Sequence, residues 1–380
     1  MKKLKEVIVF SGAGDPREIK TWSNVPYFLV ATLESKGITV HTVNLGAEQL
    51  FHRAIQKIVN LIISKTLKNV FYDYSRTLIY QYITKLKIYT AKKIYKNADA
   101  FIFTTFSTSA SGIAAQPSIL FGDWTMNHHI NYYLNRDPNW LEKMAIRREN
   151  QVIEKADAVF VLFPAVADLM KEKYVNPNIF YNGNVINALV KSYPEVIELK
   201  VKQNRLLFVG AVKYLRGALD LIEAFKILKK DIPDLELDII GIKETDLENL
   251  PVGVTCHGYL DKGVSAEAEK YYALMQNARI FINTTPKWGA FSASLEAMYF
   301  YTPVIITAYT EFTQTFGEKI DFGSYYDYEK NDLADKIQEI LKKEDYRKLC
   351  IKAHLAAKEH SWDNYVDKMI TKLVILIDCE

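Results

Sequence analysis

Cysteine is scarce in this chain. The three present among 380 residues, Cys256, Cys350 and Cys379, are too few and too scattered for a disulfide scaffold, which fits a reducing compartment. No apolar run reaches the ~18–20 residues needed to cross a bilayer, and the start is a basic dipeptide leading into an apolar strand. These absences make a cytoplasmic protein the expectation. Metal-ligand spacing is also missing: His128 and His129 are adjacent, so they point in different directions, and no companion Cys, His or Asp stands at a ligating interval. There is no internal repeat, no low-complexity tract and no recognised nucleic-acid module, so no nucleic-acid partner is expected.

What is present describes a folded protein. Hydrophobic residues make up 49% and charged residues 24%, which excludes a disordered tail or a collagenous chain. The length suggests two domains. The first element is the apolar run Val7-Ile8-Val9-Phe10, stopped by Ser11-Gly12-Ala13-Gly14-Asp15-Pro16. A buried strand followed by a glycine turn opens a doubly wound α/β unit. Gly12 and Gly14 can line a ligand cleft or simply make the turn. A helix over 25–36 ends at Gly37, and strands are expected at 38–43, 100–104, 118–121, 158–162 and 179–181, with a helix over 140–155. Such alternation gives a parallel sheet covered on both faces.

After Asn187 the sequence turns polar through Asn204, and the pattern then restarts. The boundary is read as 1–190, joined by a last helix over 362–380, against 191–361. Strands are expected at 206–209, 237–240, 254–257, 280–282 and 304–306. The first two end directly in Gly210 and Gly241, which suggests one ligand-facing rim at the carboxyl edge of a sheet.

One stretch carries most of the chemistry: Thr285-Pro286-Lys287-Trp288-Gly289-Ala290-Phe291-Ser292-Ala293-Ser294-Leu295-Glu296-Ala297-Met298, followed by Thr302-Pro303-Val304-Ile305-Ile306-Thr307. A strand ends at Asn283, a glycine-bearing loop follows, and a helix starts near Ser292. Helix starts expose unpaired N–H groups carrying partial positive charge, so this one can cradle a diphosphate. Glu296, one turn in, can accept from the hydroxyls of a ribose, or it is a helix-surface carboxylate.

Here the chain resembles the retaining GT-B glycosyltransferases of family 4, whose pattern is E-x7-E, then Ala-Met, then G-x-P-V-I. The resemblance extends to Leu207-Phe208-Val209-Gly210 with Arg216-Gly217, to Ile239-Ile240-Gly241, to Thr21-Trp22-Ser23-Asn24-Val25-Pro26 and to Asn182-Gly183-Asn184. It implies two Rossmann-like doubly wound domains facing a central cleft, with a C-terminal helix crossing back to the first. The second domain would bind a nucleoside diphosphate sugar, and the first a glycan, lipid-linked or protein acceptor. Donor contacts would come from Gly12, Gly14, Lys213, Arg216, Gly241, Trp288, Gly289, Ala290, Phe291, Ser292, Leu295 and Glu296. Asp123, Arg216 and Glu296 are the expected catalytic residues, with Asp123 orienting sugar or acceptor and Arg216 holding the diphosphate, since guanidinium matches phosphate oxygens.

The chain departs from the pattern at three places. The first glutamate of E-x7-E falls on Trp288, and the Arg-x4-Lys-Gly of the family stands as Ala211 with Arg216-Gly217. The histidine often found before the acceptor loop aligns with Gly122, leaving Asp123. Two readings follow: an enzyme of altered donor choice, or a non-catalytic GT-B partner subunit or glycan-binding protein; a sugar phosphorylase or epimerase is a third. No Asp-x-Asp triplet exists to hold Mg²⁺ or Mn²⁺ on a diphosphate, so neither a metal nor another cofactor is expected.

Charge of one sign is concentrated. The net charge is only +3, yet residues 51–97 carry ten Lys or Arg against one acid, Asp73. Aromatic and aliphatic residues interleave with the lysines at helical spacing. Two readings stand: a solvated helix pair, or a surface, with Lys85, Lys87, Lys92 and Lys93 at its centre, that docks on anionic membrane at the inner face of the cell.

Overall fold

The computed structural model describes residues 4–46, 49–66, 72–285 and 291–378. The chain divides into two compact units, Met1–Gly183 with Trp362–Glu380, and Asn184–Ser361. The change of unit thus falls several residues before the 190/191 boundary expected from the polar stretch. Asn184 and Ile186 are buried and their backbone bonds His360, which ties this stretch to the second unit.

Unit 1 is built on a parallel six-stranded sheet: β1 Glu6–Ser11, β2 Thr39–Asn44, β3 Ala100–Phe103, β4 Ser118–Gly122, β5 Ala158–Val161 and β6 Ile179–Tyr181, in the order β2-β1-β3-β4-β5-β6. Val7 to Phe10 are wholly buried, as a strand covered on both faces requires. The helix Val25–Ser35 has Pro26 in its first turn, and Gly37, at φ +78°, turns the chain back into β2. The helix Trp140–Glu154 opens with a capping box: Asn139 accepts from the Glu142 amide, while Glu142 accepts from the Asn139 amide. The C-terminal helix Trp362–Asp378 returns to this unit. Its Trp362 stacks on Phe28 and its Tyr365 meets Phe121 edge-on at 5.6 Å.

Unit 2 holds the second parallel sheet: β7 Arg205–Val209, β8 Glu236–Ile240, β9 Val254–Gly258, β10 Ile280–Asn283, β11 Val304–Thr307 and β12 Gly323–Tyr326, ordered β12-β11-β10-β7-β8-β9. Sequence patterning anticipates eleven of these twelve strands to within a residue or two. β12 escapes it because Gly323-Ser324-Tyr325-Tyr326 has no apolar run; its pairing with Val304–Thr307 makes it a strand. The core gathers Leu206, Phe208, Leu221, Phe225, Ile239, Ile282 and Ile305 between sheet and helices. Asp238, buried in the middle of β8, is satisfied from both sides, by Arg205 of β7 at 2.6 Å and His257 of β9 at 2.7 Å.

Strand order reverses direction in unit 2 between β7 and β10. Such a switch point leaves the chain exits of two neighbouring strands diverging to opposite faces, and ligands of open α/β sheets bind in the crevice this opens.

Candidate functional site

The residues at that switch point are those following β7 and β10. β7 runs into Gly210, Ala211, a short turn at Val212–Tyr214 and the helix Leu215–Leu228. β10 runs into Thr284 and Thr285, and the helix Phe291–Tyr299 follows. The two exits are tied together: Thr284 Oγ1 donates to the Gly217 carbonyl at 3.1 Å, and the Gly217 Cα packs so close that an added Cβ would lie 3.0 Å from the Thr285 amide nitrogen. Gly217 therefore allows the helix start to lie on the end of β10, and Arg216 beside it is brought to the same edge.

Arg216 extends into solvent, 73% exposed, and among the described residues its ion-pair contact is a loose one of 3.6 Å to Asp220. A guanidinium so placed is available for an anion. Lys213 is also exposed and lies over the Tyr214 ring at 4.9 Å. Gly241, at φ +95°, ends β8 against this loop. A Cβ there would stand 2.5 Å from the Gly210 carbonyl oxygen, so the glycine is required by backbone packing. Gly241→Ala should therefore lower stability by about 1–3 kcal/mol even without any ligand, measurable as a drop in denaturation midpoint.

Glu296 is not a surface carboxylate. It is 2% exposed and lies within a polar network that the sequence did not announce. Lys262 Nζ donates to both its oxygens, at 2.7 and 2.8 Å, and the Tyr271 hydroxyl donates at 2.9 Å. Lys262 also donates to the Asn187 carbonyl and lies 4.4 Å from the Tyr271 ring centroid. Burial raises the Glu296 carboxyl above its ordinary range against the pull of Lys262, and burial lowers the Lys262 ammonium against the pull of Glu296. Lys262 was missed because it is 34 residues away in a loop after β9, in an unremarkable Asp-Lys-Gly turn.

The other expected donor residues separate into groups. Phe291 and Leu295 have buried side chains; Phe291 packs on Phe312 and Phe316, so both serve the core of unit 2. Only their backbone can face a ligand. Ser292 is half-buried in the first turn of its helix. Trp288, Gly289 and Ala290 lie outside the described residues. Gly12, Gly14 and Asp123 belong to unit 1. Gly12 is exposed at the end of β1, while Gly14, at φ +144°, lies against Thr21, where an added Cβ would be 2.9 Å from Oγ1. Asp123 follows β4 and accepts from the Trp124 amide at 2.7 Å, as a loop-stabilising aspartate does. The position before it is glycine because the Phe106 ring fills the space: a Cβ on Gly122 would be 2.8 Å from that ring.

Three consecutive non-glycine residues in unit 1, Trp22, Ser23 and Asn24, hold left-handed backbone angles, at φ 37°, 53° and 70°. Their side chains are anchored, Trp22 against Phe121 and Asn24 on the Ile19 carbonyl. Buried Glu149 joins two loops of the same carboxyl edge, accepting from Ser107 Oγ at 2.6 Å and the Met126 amide at 2.7 Å.

Of the four lysines expected on a docking surface, two are committed internally. Lys87 Nζ donates to the carbonyls of Asn44, Leu45 and Gly46, and Lys92 Nζ to that of Ile113. Lys85 and Lys93 are exposed. His128 and His129 stack on Tyr132 and Tyr133, one helical turn on. Among the described residues no three His, Cys, Asp or Glu side chains gather as a metal ion needs. None of the described helices is long and apolar enough to cross a membrane.

Comparison with known proteins places this geometry. Residues 190–356 match the family model of glycosyl transferases group 1. An uncharacterized glycosyltransferase of Methanocaldococcus jannaschii is 30% identical over 155 residues, a match spanning 38% of this chain and 38% of that relative's length. Among solved structures, sucrose-phosphate synthase from Thermosynechococcus elongatus superposes with a TM-score of 0.70 at 16% identity, covering 99% of this chain and 100% of that one. The S. aureus MnaA structure with UDP gives a TM-score of 0.55 at 13% identity, covering 98% and 97%. These likenesses show a GT-B fold: two units, each with a parallel sheet of Rossmann type and flanking helices.

Proposed function

We propose, on the premise that residues 190–356 form a domain of the glycosyl transferases group 1, that this protein transfers a sugar from a nucleoside diphosphate sugar to an acceptor hydroxyl with retention of anomeric configuration. The observation that carries the reading is the switch point of unit 2, where an exposed Arg216 and the helix bearing Glu296 follow neighbouring strands. The bond that breaks joins the anomeric carbon to the distal phosphate oxygen, so negative charge grows on the departing diphosphate. Arg216, aided by Lys213 and by backbone N–H groups at the start of helix Phe291–Tyr299, stabilises that charge. The acceptor hydroxyl oxygen bonds the anomeric carbon from the face the diphosphate leaves and passes its proton to the departing phosphate oxygen, since among the described residues no side chain at this edge suggests a covalent nucleophile. Asp123 serves the acceptor side. Glu296, buried with both oxygens held by Lys262, meets a ribose hydroxyl only where that hydroxyl takes over part of the Lys262 or Tyr271 contact. Cationic side chains replace a divalent ion in this scheme, so activity should survive a chelator. UDP, the ligand in one of the similar structures, is the first nucleotide to try.

Isothermal titration with UDP, GDP and dTDP is expected to give binding by at least one. Arg216→Ala should weaken it by about 1.5–3 kcal/mol, the value of a charge-assisted hydrogen bond, while leaving the melting temperature unchanged. Absence of binding by all three nucleotides removes the reading at its first step.

A second reading is favoured by one observation: the Glu296 carboxylate already has Lys262 and Tyr271 as partners. In that case the chain is a non-catalytic GT-B partner subunit or glycan-binding protein. Nucleotide binding together with turnover of UDP-, GDP- or dTDP-sugars supports the enzyme; no turnover, alone or with an added glycosyltransferase subunit, supports the partner.

A further inference from the structure

The helix Leu78–Ile94 is oriented unusually for a soluble protein. Its inward residues, Tyr80, Thr84, Ile88 and Ala91, are buried against unit 1. The opposite face carries Leu78, Ile79, Tyr82, Leu86 and Tyr89, with exposures between 48% for Tyr89 and 65% for Tyr82. At 100° per residue these five positions share one face roughly 100° wide, and Lys85 and Lys93 fall at its margins or within it. Between Leu78 and Lys96 there are five lysines and no acid. Lys93 lies 4.5 Å from the Tyr89 ring centroid, so its stem covers apolar surface while its charge stays outside.

We infer that this face docks on the surface of an anionic lipid bilayer. An apolar stripe of this size rarely stays in water unpartnered, and two kinds of occupant can cover it. A second copy of the chain is disfavoured by charge, because a two-fold contact would set Lys85 and Lys93 close to their own counterparts. An anionic bilayer satisfies both features: the aliphatic and tyrosine side chains enter the headgroup boundary, and the lysines meet phosphates. Lys87 and Lys92 are not part of the face, because they hold loops of unit 1 through backbone carbonyls. This inference does not depend on sugar transfer.

The test is co-sedimentation of the full chain with vesicles of phosphatidylcholine alone, or of phosphatidylcholine with phosphatidylglycerol. Binding is expected to the second only, and to fall at least about tenfold as salt rises from about 0.1 M to 1 M, because the Debye length shrinks from ~10 Å to ~3 Å. Lys85→Glu/Lys93→Glu and, separately, Leu78→Ser/Leu86→Ser should each weaken it at least about tenfold with an unchanged melting temperature, since all four residues are exposed. No binding to anionic vesicles at low salt overturns the inference, as does binding that neither pair of substitutions alters. A wild-type dimer in solution that Leu78→Ser/Leu86→Ser turns into monomer also overturns it, and makes the face a contact between copies.

Discussion

Lys262→Met is expected to destabilise unit 2 by about 3–5 kcal/mol, seen as a melting temperature lower by roughly 6–20 °C. The cost arises because Lys262 and Glu296 are both removed from water and compensate one another at 2.7 Å. Deleting the ammonium leaves a buried carboxylate facing the hydroxyls of Tyr271 and Tyr272 in place of a cation, and it must then be protonated or hydrated. Glu296→Gln breaks the same pair from the other side, so it should lower stability as well as nucleotide affinity. The double variant Lys262→Met/Glu296→Gln should recover a large part of the single losses, because no unpaired charge stays buried. Additive losses in that cycle, measured by thermal unfolding, would mean that the pair contributes no coupling.

The second large effect concerns pH. Lys200, in the helix Val196–Val201, has no exposed surface; its Nζ bonds the carbonyls of Met275 and Ala278 and the hydroxyl of Thr302, at 3.0, 3.0 and 2.8 Å. Burial pushes its ammonium down to about 7 from 10.5, with Cys350 opposing slightly. A neutral amine is well accommodated, because its two hydrogens can still donate to the two carbonyls. Between pH 7 and 10.5 the unfolded chain holds this proton and the folded chain does not. Stability attributable to Lys200 therefore rises with pH across that window, by on the order of 3–5 kcal/mol in all, and is flat below it. Tyrosines titrate in the same range, so the quantity to measure is the difference between wild type and Lys200→Met in urea unfolding from pH 6 to 10. That difference should grow in favour of wild type as pH rises. A constant difference would show that Lys200 keeps its proton when folded.

The legible part of this fold is the local part. Val7 to Phe10, Leu206 to Val209 and Val304 to Ile306 are runs of apolar residues bounded by glycine or proline, and strands buried on both faces have no other way to read. Gly37 and Gly241 mark chain reversals that only a residue without a side chain makes cheaply. Glu296 was legible because it lies one turn into a helix that follows a strand, whereas Arg216 was marked by the resemblance of Arg216-Gly217 to the family pattern.

Composition and periodicity thus determined, without coordinates, an α/β chain of two parallel-sheet units, and a concentration of positive charge in residues 51–97. What only the tertiary structure decided is which side chains meet. Lys262 joins Glu296 across 34 residues. Lys87 turns inward to three carbonyls while Lys85 and Lys93 stay outside. Phe291 and Leu295 enter the core, and the unpatterned Gly323–Tyr326 becomes β12 by pairing with β11. The physical reason is the same in each case. Secondary structure responds to neighbours within a turn or two, whereas the desolvation of a charge and the pairing of an edge strand are set by groups that the fold alone brings near.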